Sequence, residues 1–143
     1  MEEFEADDDV TLLARLIWGE ARGERLAGKL AVARTVLNRL PPIGQSRWWG
    51  NTVREVMLWP AQYSCFNDEH LRRGLMRGSV LEPLAWRDCV DAARLVLSGY
   101  VRDFIGGATH YYAPARVAEP PAWAVEKRAA AEIGGHLFFA GIE

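Results

Sequence analysis

Residues 26–40 constrain the fold more than any other segment, because their apolar residues recur at the spacing of an amphipathic helix. The pair Pro41-Pro42 ends this segment, since proline lacks the amide hydrogen that a helix interior requires. Residues 10–21 show the same spacing, follow a run of acids that suits the positive end of a helix dipole, and stop before Gly23. The sequence therefore predicts two consecutive helices. On the second, the predicted core stripe is Leu26, Leu30, Ala33, Leu37 and Leu40.

Two further helices and two short strands are predicted. One helix opens at Thr52, where Thr52-x-x-Glu55 has the form of a capping box, and ends before Pro60. Another begins near Pro83 and ends at Gly99. Residues 61–70, AQYSCFNDEH, are predicted to be a polar-aromatic loop, while ATHYYAP and GGHLFFAGI have the composition of short strands. The predicted class is α+β, a mainly helical single domain with a small β element. The predicted core residues of the helix after Pro83 are Ala85, Cys89, Ala93 and Val96.

Charge is distributed unevenly along the chain. The formal charge of the 143 residues is −2, and removing the six acids among residues 2–9 leaves +4 on residues 10–143. An acidic stretch without a base is typical of solvated chain, so residues 1–9 are predicted to be a disordered tail and residues 10–143 the folded domain. The mildly basic domain favours an anionic partner, but its charge density is below that of nucleic-acid-binding proteins. No nucleic-acid partner is therefore predicted.

Cysteine and histidine usage argues against a metal or cofactor. Cys65 and Cys89 are the two cysteines, and neither belongs to a CxxC motif. His110 and His136 lie in separate segments without an HExxH motif, so no metal and no cofactor is predicted. The N-terminus lacks the basic and apolar regions of a secretory signal, and no stretch reaches transmembrane length. We therefore expect accumulation in the cytoplasm and no membrane span.

Glu20, in the segment WGEARGE, is the strongest candidate for a catalytic acid. It follows Ile17, Leu16 and Leu13 by three, four and seven residues, so a helix places it on the apolar stripe. Partial burial and the negative end of the helix dipole both raise the pKa of a carboxyl group. A carboxyl group that stays protonated near neutral pH can donate a proton in catalysis. The alternative is an ordinary solvated glutamate at a helix end.

The order of several motifs resembles one family. LARLIWGEARGERLAGKLAVARTVLNRL resembles the opening segment of the cell wall hydrolases related to spore cortex-lytic enzymes, the SleB/CwlJ-type family. That family's pattern is an apolar helix, GEARGE, and a helix that ends in LNR. The segments TVREVML, QYSCFND, ATHYYAP, PAWA and IGGHLFF follow in the family's order. One departure is Leu40 after Asn38-Arg39, where some members have threonine, so any role of that hydroxyl group is absent.

The resemblance implies both a fold and an activity. The implied fold is lysozyme-like, similar to that of resuscitation-promoting factors and lytic transglycosylases. The implied activity is cleavage of peptidoglycan glycan strands between N-acetylmuramic acid and N-acetylglucosamine. In the family the first glutamate of GEARGE is the catalytic acid, and it corresponds to Glu20. Residues 10–143 would then be the catalytic domain of a monomeric enzyme whose partner is peptidoglycan.

The chemistry that follows proton donation is left open by the sequence. Glycosidases usually use a second carboxylate, about 5–5.5 Å from the first for retention or about 6.5–9.5 Å for inversion. Lytic transglycosylases, in the family comparison, use one carboxyl group as acid and then as base while the muramoyl 6-hydroxyl closes an anhydro ring. Hydrolysis and transglycosylation therefore both stay open. The candidates for a second carboxylate are Glu24, Asp68, Glu69 and Asp103.

Several side chains are candidates for binding the sugar chain. The loop with Tyr63 matches the family's substrate groove, although this ring could instead pack the loop against the core. Tyr111 and Tyr112 alternate on a strand, so one is expected to face the cleft and the other the core. Glu24 is expected to support the groove through loop hydrogen bonds or an arginine pair. The predicted substrate-binding residues are Glu24, Gln62, Tyr63, Ser64, Tyr111 and Tyr112.

Two other functions compete with glycan cleavage. Cys65, with His110 or His136, could be the nucleophile of a cell-wall peptidase or amidase, although apolar neighbours would raise the pKa of its thiol. A wall-binding module without chemistry is the second alternative. The lack of a signal favours a phage or prophage lysis enzyme released through a holin, or a virion-associated enzyme. A shortened form of an exported bacterial enzyme would have the same features.

Overall fold

The computed structural model describes residues 2–142. Within this range none of the helices is both long and apolar enough to cross a membrane. Short 3-10 turns occur at Glu2–Phe4, Pro114–Arg116 and Ala122–Ala124. The longer elements are α1 (Asp9–Ala21), α2 (Leu26–Arg39), α3 (Val53–Leu58), α4 (Ser64–Asn67), α5 (Glu69–Leu81), α6 (Pro83–Leu97), β1 (His110–Tyr112), β2 (Ala131–Ile133) and β3 (His136–Phe139).

Helix α1 is the centre of the domain. Every residue from Leu12 to Trp18 is buried, which is typical of a helix with packing partners on all sides. These partners include α2, α5 and α6. Asp8 caps the helix, because its side chain accepts a hydrogen bond from the amide of Thr11 at 2.8 Å. The helix predicted at residues 10–21 is confirmed, and its last turn carries Glu20 to the surface of the core.

Helix α2 is also confirmed, but it buries a different face from the predicted one. Leu26 is 53% exposed, and Leu30, Leu37 and Leu40 are only partly buried. The polar residues Thr35 and Arg39 interrupt the apolar pattern of the face that is buried, which is why the spacing of leucines was misleading. The buried residues of this helix are Gly28, Lys29, Ala31, Val32, Ala33, Thr35, Val36 and Arg39.

The predicted helices after Thr52 and Pro83 are confirmed as α3 and α6. The Thr52 side chain accepts a hydrogen bond from the amide of Glu55 at 3.1 Å, as a helix cap requires. In α6, Pro83 occupies the first turn and the chain leaves the helix before Gly99. Ala85 is only partly buried, unlike the other predicted core residues of this helix. The buried residues of α6 are Cys89, Ala92, Ala93 and Val96.

Residues 64–81 form helices α4 and α5, so the polar-aromatic loop predicted at residues 61–70 is wrong for most of its length. Asp68 caps α5 by accepting a hydrogen bond from the amide of Leu71 at 2.9 Å. Gly74 and Gly78 weaken the helical propensity of this segment. Gly78 has a packing reason, because a Cβ atom there would lie 2.4 Å from Cε2 of Trp18. Tertiary contact with α1 therefore compensates for a weak local pattern.

A three-stranded antiparallel sheet follows the helices, in the order β1-β3-β2. Tyr111 pairs with Phe138, and Ile133 pairs with His136. Strands β1 and β3 were predicted, whereas β2 is three residues long and follows an alanine run that favours a helix. A mainly helical domain with a small sheet confirms the predicted α+β class.

The acidic N-terminal segment packs against the domain, which contradicts the predicted disordered tail in its described part. Phe4 is fully buried, and its ring lies edge-on to that of Phe66, 5.2 Å away. Asp7 forms an ion pair of 2.6 Å with Arg15, a largely buried residue of α1 that requires a counter-charge. The Arg54 guanidinium donates to the carbonyl oxygens of Phe4 and Asp7. Position 1 of the predicted tail lies outside the described residues.

Candidate active site

Glu20 is oriented at the end of α1 by two donors from α4. Its Oε1 atom accepts long hydrogen bonds from the Ser64 hydroxyl and the Cys65 amide, each at 3.5 Å. Helix α4 comes this close because residue 19 has no side chain. A Cβ atom on Gly19 would lie 2.6 Å from the Cβ of Cys65. Both of these hydrogen bonds use Oε1, and neither uses Oε2.

Two cavities meet at Glu20. The first, here called the hairpin cavity, has a volume of about 380 Å³ and includes Trp18, Glu20, Glu24, Arg116, Gly135 and His136 in its lining. The second, here called the tyrosine cavity, has a volume of about 490 Å³ and includes Glu20, Arg39, Trp48, Gln62, Tyr111 and Trp123. Among the described residues Glu20 is the one acid that lines both cavities. A chain molecule that occupied both would therefore pass over its carboxyl group.

Tyr111 forms a wall of the tyrosine cavity beside Glu20. Burial and the negative charge of Glu20 raise the pKa of Tyr111 well above its usual value, so its phenol is a hydrogen-bond donor at neutral pH. Tyr112, the next residue on β1, instead stacks on Phe139 with ring centroids 5.8 Å apart. The two tyrosines therefore differ in environment, and Tyr111 is the one beside the candidate acid.

Tyr63 packs behind Tyr111 and supports this wall of the cavity. It is 1% exposed, so burial contradicts the predicted contact of Tyr63 with substrate. The hydrogen of the Thr35 hydroxyl goes to the carbonyl oxygen of Val32 at 2.6 Å. The Tyr63 hydroxyl must therefore donate to Thr35, at 3.1 Å. Tyr63 is thus a structural residue, whereas its neighbours Gln62 and Ser64 do line the tyrosine cavity.

Arg39 is a buried cation in the lining of the tyrosine cavity. It is 3% exposed, and it makes no ion pair among the described residues. Its Nε atom donates to the carbonyl oxygen of Thr109 at 2.7 Å, and its Nη1 atom donates to Oε1 of Gln62 at 2.8 Å. The guanidinium group also lies 4.6 Å from the ring centre of Tyr63. Arg39 therefore connects Thr109 with Gln62 across the tyrosine cavity, and its guanidinium group gives the cavity a positive charge.

His110 also lines the tyrosine cavity, as a neutral group. Burial, with a smaller contribution from Arg39, lowers the pKa of His110 to about 4. Its Nδ1 atom lies 2.8 Å from the Thr109 hydroxyl, and its ring packs between those of Trp49 and Trp123. At neutral pH this imidazole can donate or accept a hydrogen bond without adding charge.

Glu24 joins the turn after α1 to the turn between β2 and β3. Its Oε1 atom accepts a hydrogen bond from the amide of Gly135 at 2.9 Å and lies 3.3 Å from Nδ1 of His136. Of the two expected alternatives, loop hydrogen bonds or an arginine pair, the structure shows the loop hydrogen bond, while Arg22 contacts Glu82 at 3.1 Å. Glu24 and Glu20 both line the hairpin cavity. The Oε1 atom of Glu24, however, already contacts Gly135 and His136 of the β2–β3 hairpin.

The other candidates for a second carboxylate serve the fold, and none of them lines either cavity. Asp68 caps α5. Glu69 pairs with Arg73 at 2.6 Å on the exposed side of the same helix. Asp103 accepts hydrogen bonds from the backbone amides of the loop before β1, at 3.1 and 2.6 Å. The positions of Asp68, Glu69 and Asp103 therefore argue against these candidates and agree with structural roles.

Cys65 is in an unsuitable state for a nucleophile. It is 1% exposed, and burial together with the charge of Glu20 raises the pKa of its thiol well above the usual value. Thiols react as thiolates, so this environment argues against the peptidase alternative. In the part of the chain that the structure describes, no three residues of the types His, Cys, Asp and Glu are grouped closely enough to hold a metal ion.

Some residues of the site were missed at the sequence level. Arg39 and His110 had no assigned role in the cavity, and Trp48 and Trp123 were not among the predicted site residues. For Arg39 a usable signal existed, because a charge on the apolar face of a helix requires a buried partner or a function.

Comparison with known proteins places this chain in a family. A family model described as Cell Wall Hydrolase matches residues 23–139. The chain belongs to this family of cell wall hydrolases. The spore cortex-lytic enzyme of Halalkalibacterium halodurans is 31% identical over 133 residues, which are 93% of this chain and 35% of that enzyme. The corresponding enzyme of Oceanobacillus iheyensis is 27% identical over 135 residues, 93% of this chain and 42% of that enzyme. This cell wall hydrolase thus spans less than half the length of these relatives.

Two solved structures share the fold of the cell wall hydrolase. The catalytic domain of the germination-specific lytic transglycosylase SleB from Bacillus anthracis superimposes with a TM-score of 0.64 at 27% identity, covering 93% of this chain and 94% of that domain. The catalytic domain of Bacillus cereus SleB gives a TM-score of 0.62 at 27% identity, covering 91% and 88%. The predicted SleB/CwlJ-type family and the lysozyme-like fold are confirmed.

Proposed function

We propose that this cell wall hydrolase cleaves peptidoglycan glycan strands between N-acetylmuramic acid and N-acetylglucosamine, with Glu20 as its general acid and base. The hairpin cavity and the tyrosine cavity together are here called the groove. The observation that carries the proposal is the position of Glu20, the acid that lines both of these cavities. Its Oε1 atom is held by α4, and Oε2 is the oxygen proposed to transfer the proton. The similarity to SleB catalytic domains supports the same activity.

The proposed reaction begins with proton transfer from Glu20 to the glycosidic oxygen. The bond between this oxygen and C1 of N-acetylmuramic acid then breaks, through an oxocarbenium-like transition state that the resulting carboxylate stabilises. The C6 hydroxyl of the same sugar attacks C1, and its proton returns to Glu20. One carboxyl group thus completes the cycle, and the products are an anhydro end and a new N-acetylglucosamine end. Tyr111 and Gln62 would provide hydrogen bonds to the sugar in the tyrosine cavity.

A muramidase reaction is the second candidate, because Glu24 shares the hairpin cavity with Glu20. In that case a water molecule would replace the C6 hydroxyl, and its proton would pass to Glu24 or back to Glu20. The commitment of Glu24 Oε1 to Gly135 and His136 favours the reaction with one carboxyl group.

Product analysis of purified peptidoglycan tests the proposal. Mass spectrometry of the released muropeptides distinguishes anhydro ends from new reducing ends. We expect E20Q to lose at least about a hundredfold in rate, as removal of a general acid does. C65S is the matched control, because its side chain is adjacent to Glu20 but has no proposed role, and it should retain activity. Full activity of E20Q, or release of new amines alone, would contradict the proposal.

The route to the wall and the oligomeric state also stay proposals. We propose a monomer that accumulates in the cytoplasm and reaches peptidoglycan after holin-dependent release, as in phage lysis. Co-expression with and without a holin, followed by measurement of culture turbidity, tests the route. Analytical ultracentrifugation tests the oligomeric state.

A further inference from the structure

Trp48 stands apart from the other tryptophans because it is exposed at the edge of the groove. Its side chain is 58% exposed, whereas the adjacent Trp49 is 4% exposed. Their rings are 5.3 Å apart at an angle of 53°, so the buried indole supports one edge of the exposed indole. Single exposed apolar side chains are common on protein surfaces, so Trp48 is distinguished by its place in the lining of two cavities.

The segment that carries Trp48 is firmly attached to the end of α2. The Trp49 indole donates a hydrogen bond to the carbonyl oxygen of Arg39 at 2.8 Å. The Arg47 guanidinium donates to the carbonyl oxygens of Asn38 and Arg39 at 3.1 and 3.2 Å. The amide of Arg47 in turn donates to Asn51 at 2.8 Å. These contacts fix the backbone on both sides of Trp48, so its indole is pre-positioned for a ligand.

Trp48 separates the tyrosine cavity from a third cavity farther from Glu20. This distal cavity has a volume of about 450 Å³, and Trp48 and Ile142 line both cavities. Its lining combines an indole face with the neutral side chains of Asn38, Ser46 and Thr109 and the cation Arg47, and no acid among residues 2–142 lines it. Indole faces pack on the C–H faces of pyranose rings, while amide and hydroxyl groups bind sugar hydroxyls. The polar side chains of the distal cavity are Asn38, Ser46, Arg47 and Thr109.

We propose that Trp48 and the distal cavity form a further saccharide subsite, which binds the glycan strand beyond the sugars in the tyrosine cavity. This inference rests on the proposed function for its substrate class. The groove would then extend continuously from the hairpin cavity, past Glu20, to the distal cavity. The chain would prefer long, uninterrupted glycan strands to short fragments, because only long strands contact Trp48 and Glu20 together with both flanking cavities.

The test compares wild type, W48A, W48F and Y100A on peptide-free glycan strands and on the shortest fragment that the wild type cleaves. Tyr100 is 85% exposed and lines none of the three cavities, so Y100A controls for loss of an exposed aromatic ring. We expect W48A to raise KM on long strands about five- to tenfold with little change in kcat, the range that an aromatic contact provides. The short fragment should be affected less, W48F should restore most of the affinity, and Y100A should match wild type.

A binding measurement separates failure of this inference from failure of the proposed function. E20Q and the double variant E20Q/W48A are sedimented with insoluble glycan strands. Weaker binding of the double variant supports the subsite even if the wild type fails to cleave the strands. Equal binding, or an equal loss of kcat/KM on long and short substrates, overturns the subsite while glycan cleavage by the wild type still stands.

Discussion

The carboxylate of Glu24 accepts a 2.9 Å hydrogen bond from the backbone amide of Gly135, which lies 111 residues later in the chain. This contact fixes the turn after α1 against the β2–β3 turn, and both turns line the hairpin cavity. The same contact makes the role of Glu24 testable, because a support and a catalytic base respond differently to the same substitutions.

E24Q and E24A distinguish these two roles. The amide oxygen of glutamine can still accept the hydrogen bond from Gly135, so E24Q should keep most of the activity on peptidoglycan. E24A removes the acceptor of the exposed Gly135 amide and should lower the free energy of unfolding by about 0.5–1.5 kcal/mol, the net value of one hydrogen bond. Urea unfolding and turbidity clearing measure the two effects. If E24Q unfolds like wild type but loses activity a hundredfold, Glu24 is a catalytic carboxylate.

R39K should destabilise the tyrosine cavity while it preserves the positive charge. Lysine lacks the planar fork that contacts Thr109 and Gln62 together, so we expect a loss of about 2 kcal/mol in the free energy of unfolding. R34K is the matched control on the same helix, since Arg34 is less buried and lines none of the cavities described above. Its cost should be below about 1 kcal/mol. Equal costs for R39K and R34K would show that the fork of Arg39 is unimportant.

His110 should make the protein less stable in mild acid. Its pKa is about 4 in the folded state and about 6.5 in the unfolded state, so the unfolded chain binds the proton more readily. The stability associated with the neutral ring is complete above pH 6.5 and is lost as the pH falls towards 4. Allowing for partial exposure, the loss between pH 7 and pH 5 is about 1–2 kcal/mol. Denaturant titrations of wild type and H110Q should differ in this pH dependence, and parallel curves would contradict the assignment.

F4A tests whether the N-terminal segment belongs to the domain. Phe4 is fully buried against the core, so its truncation should cost about 3 kcal/mol in the free energy of unfolding. E5A is the control, because Glu5 is exposed on the same turn of chain, and its melting temperature should match that of wild type. A disordered tail would make both variants equal to wild type.

The parts of the fold that the sequence predicts are those governed by local periodicity and local caps. The helix at residues 10–21 has a continuous apolar run, and Thr52 and Pro83 are local start signals for α3 and α6. The placement of Glu20 follows from the same periodicity. These features depend on residues within a few positions of one another, so no knowledge of tertiary contacts is needed.

The features that were missed depend on distant contacts. The local sequence of α5 has a low helical propensity. Its Gly78 is explained by close packing against Trp18, which leaves no room for a side chain. Phe4 lies within an acidic run, and its burial depends on Phe66. Arg39 can lie on the buried face of α2 because Thr109 and Gln62 provide hydrogen-bond acceptors for its guanidinium group. In each case the partner is separated by tens of residues, so charge and propensity favoured the wrong conclusion.

The contact of Gly19 with Cys65 has a consequence for the interpretation of the GEARGE motif. The clearance between α1 and α4 at this point is smaller than one methyl group, so any larger residue would displace α4. The donors that orient the neighbouring glutamate would move with it. Gly19, the first residue of the motif, is therefore required by the close packing of the two helices. This packing in turn holds Glu20, the second residue of the motif, in position.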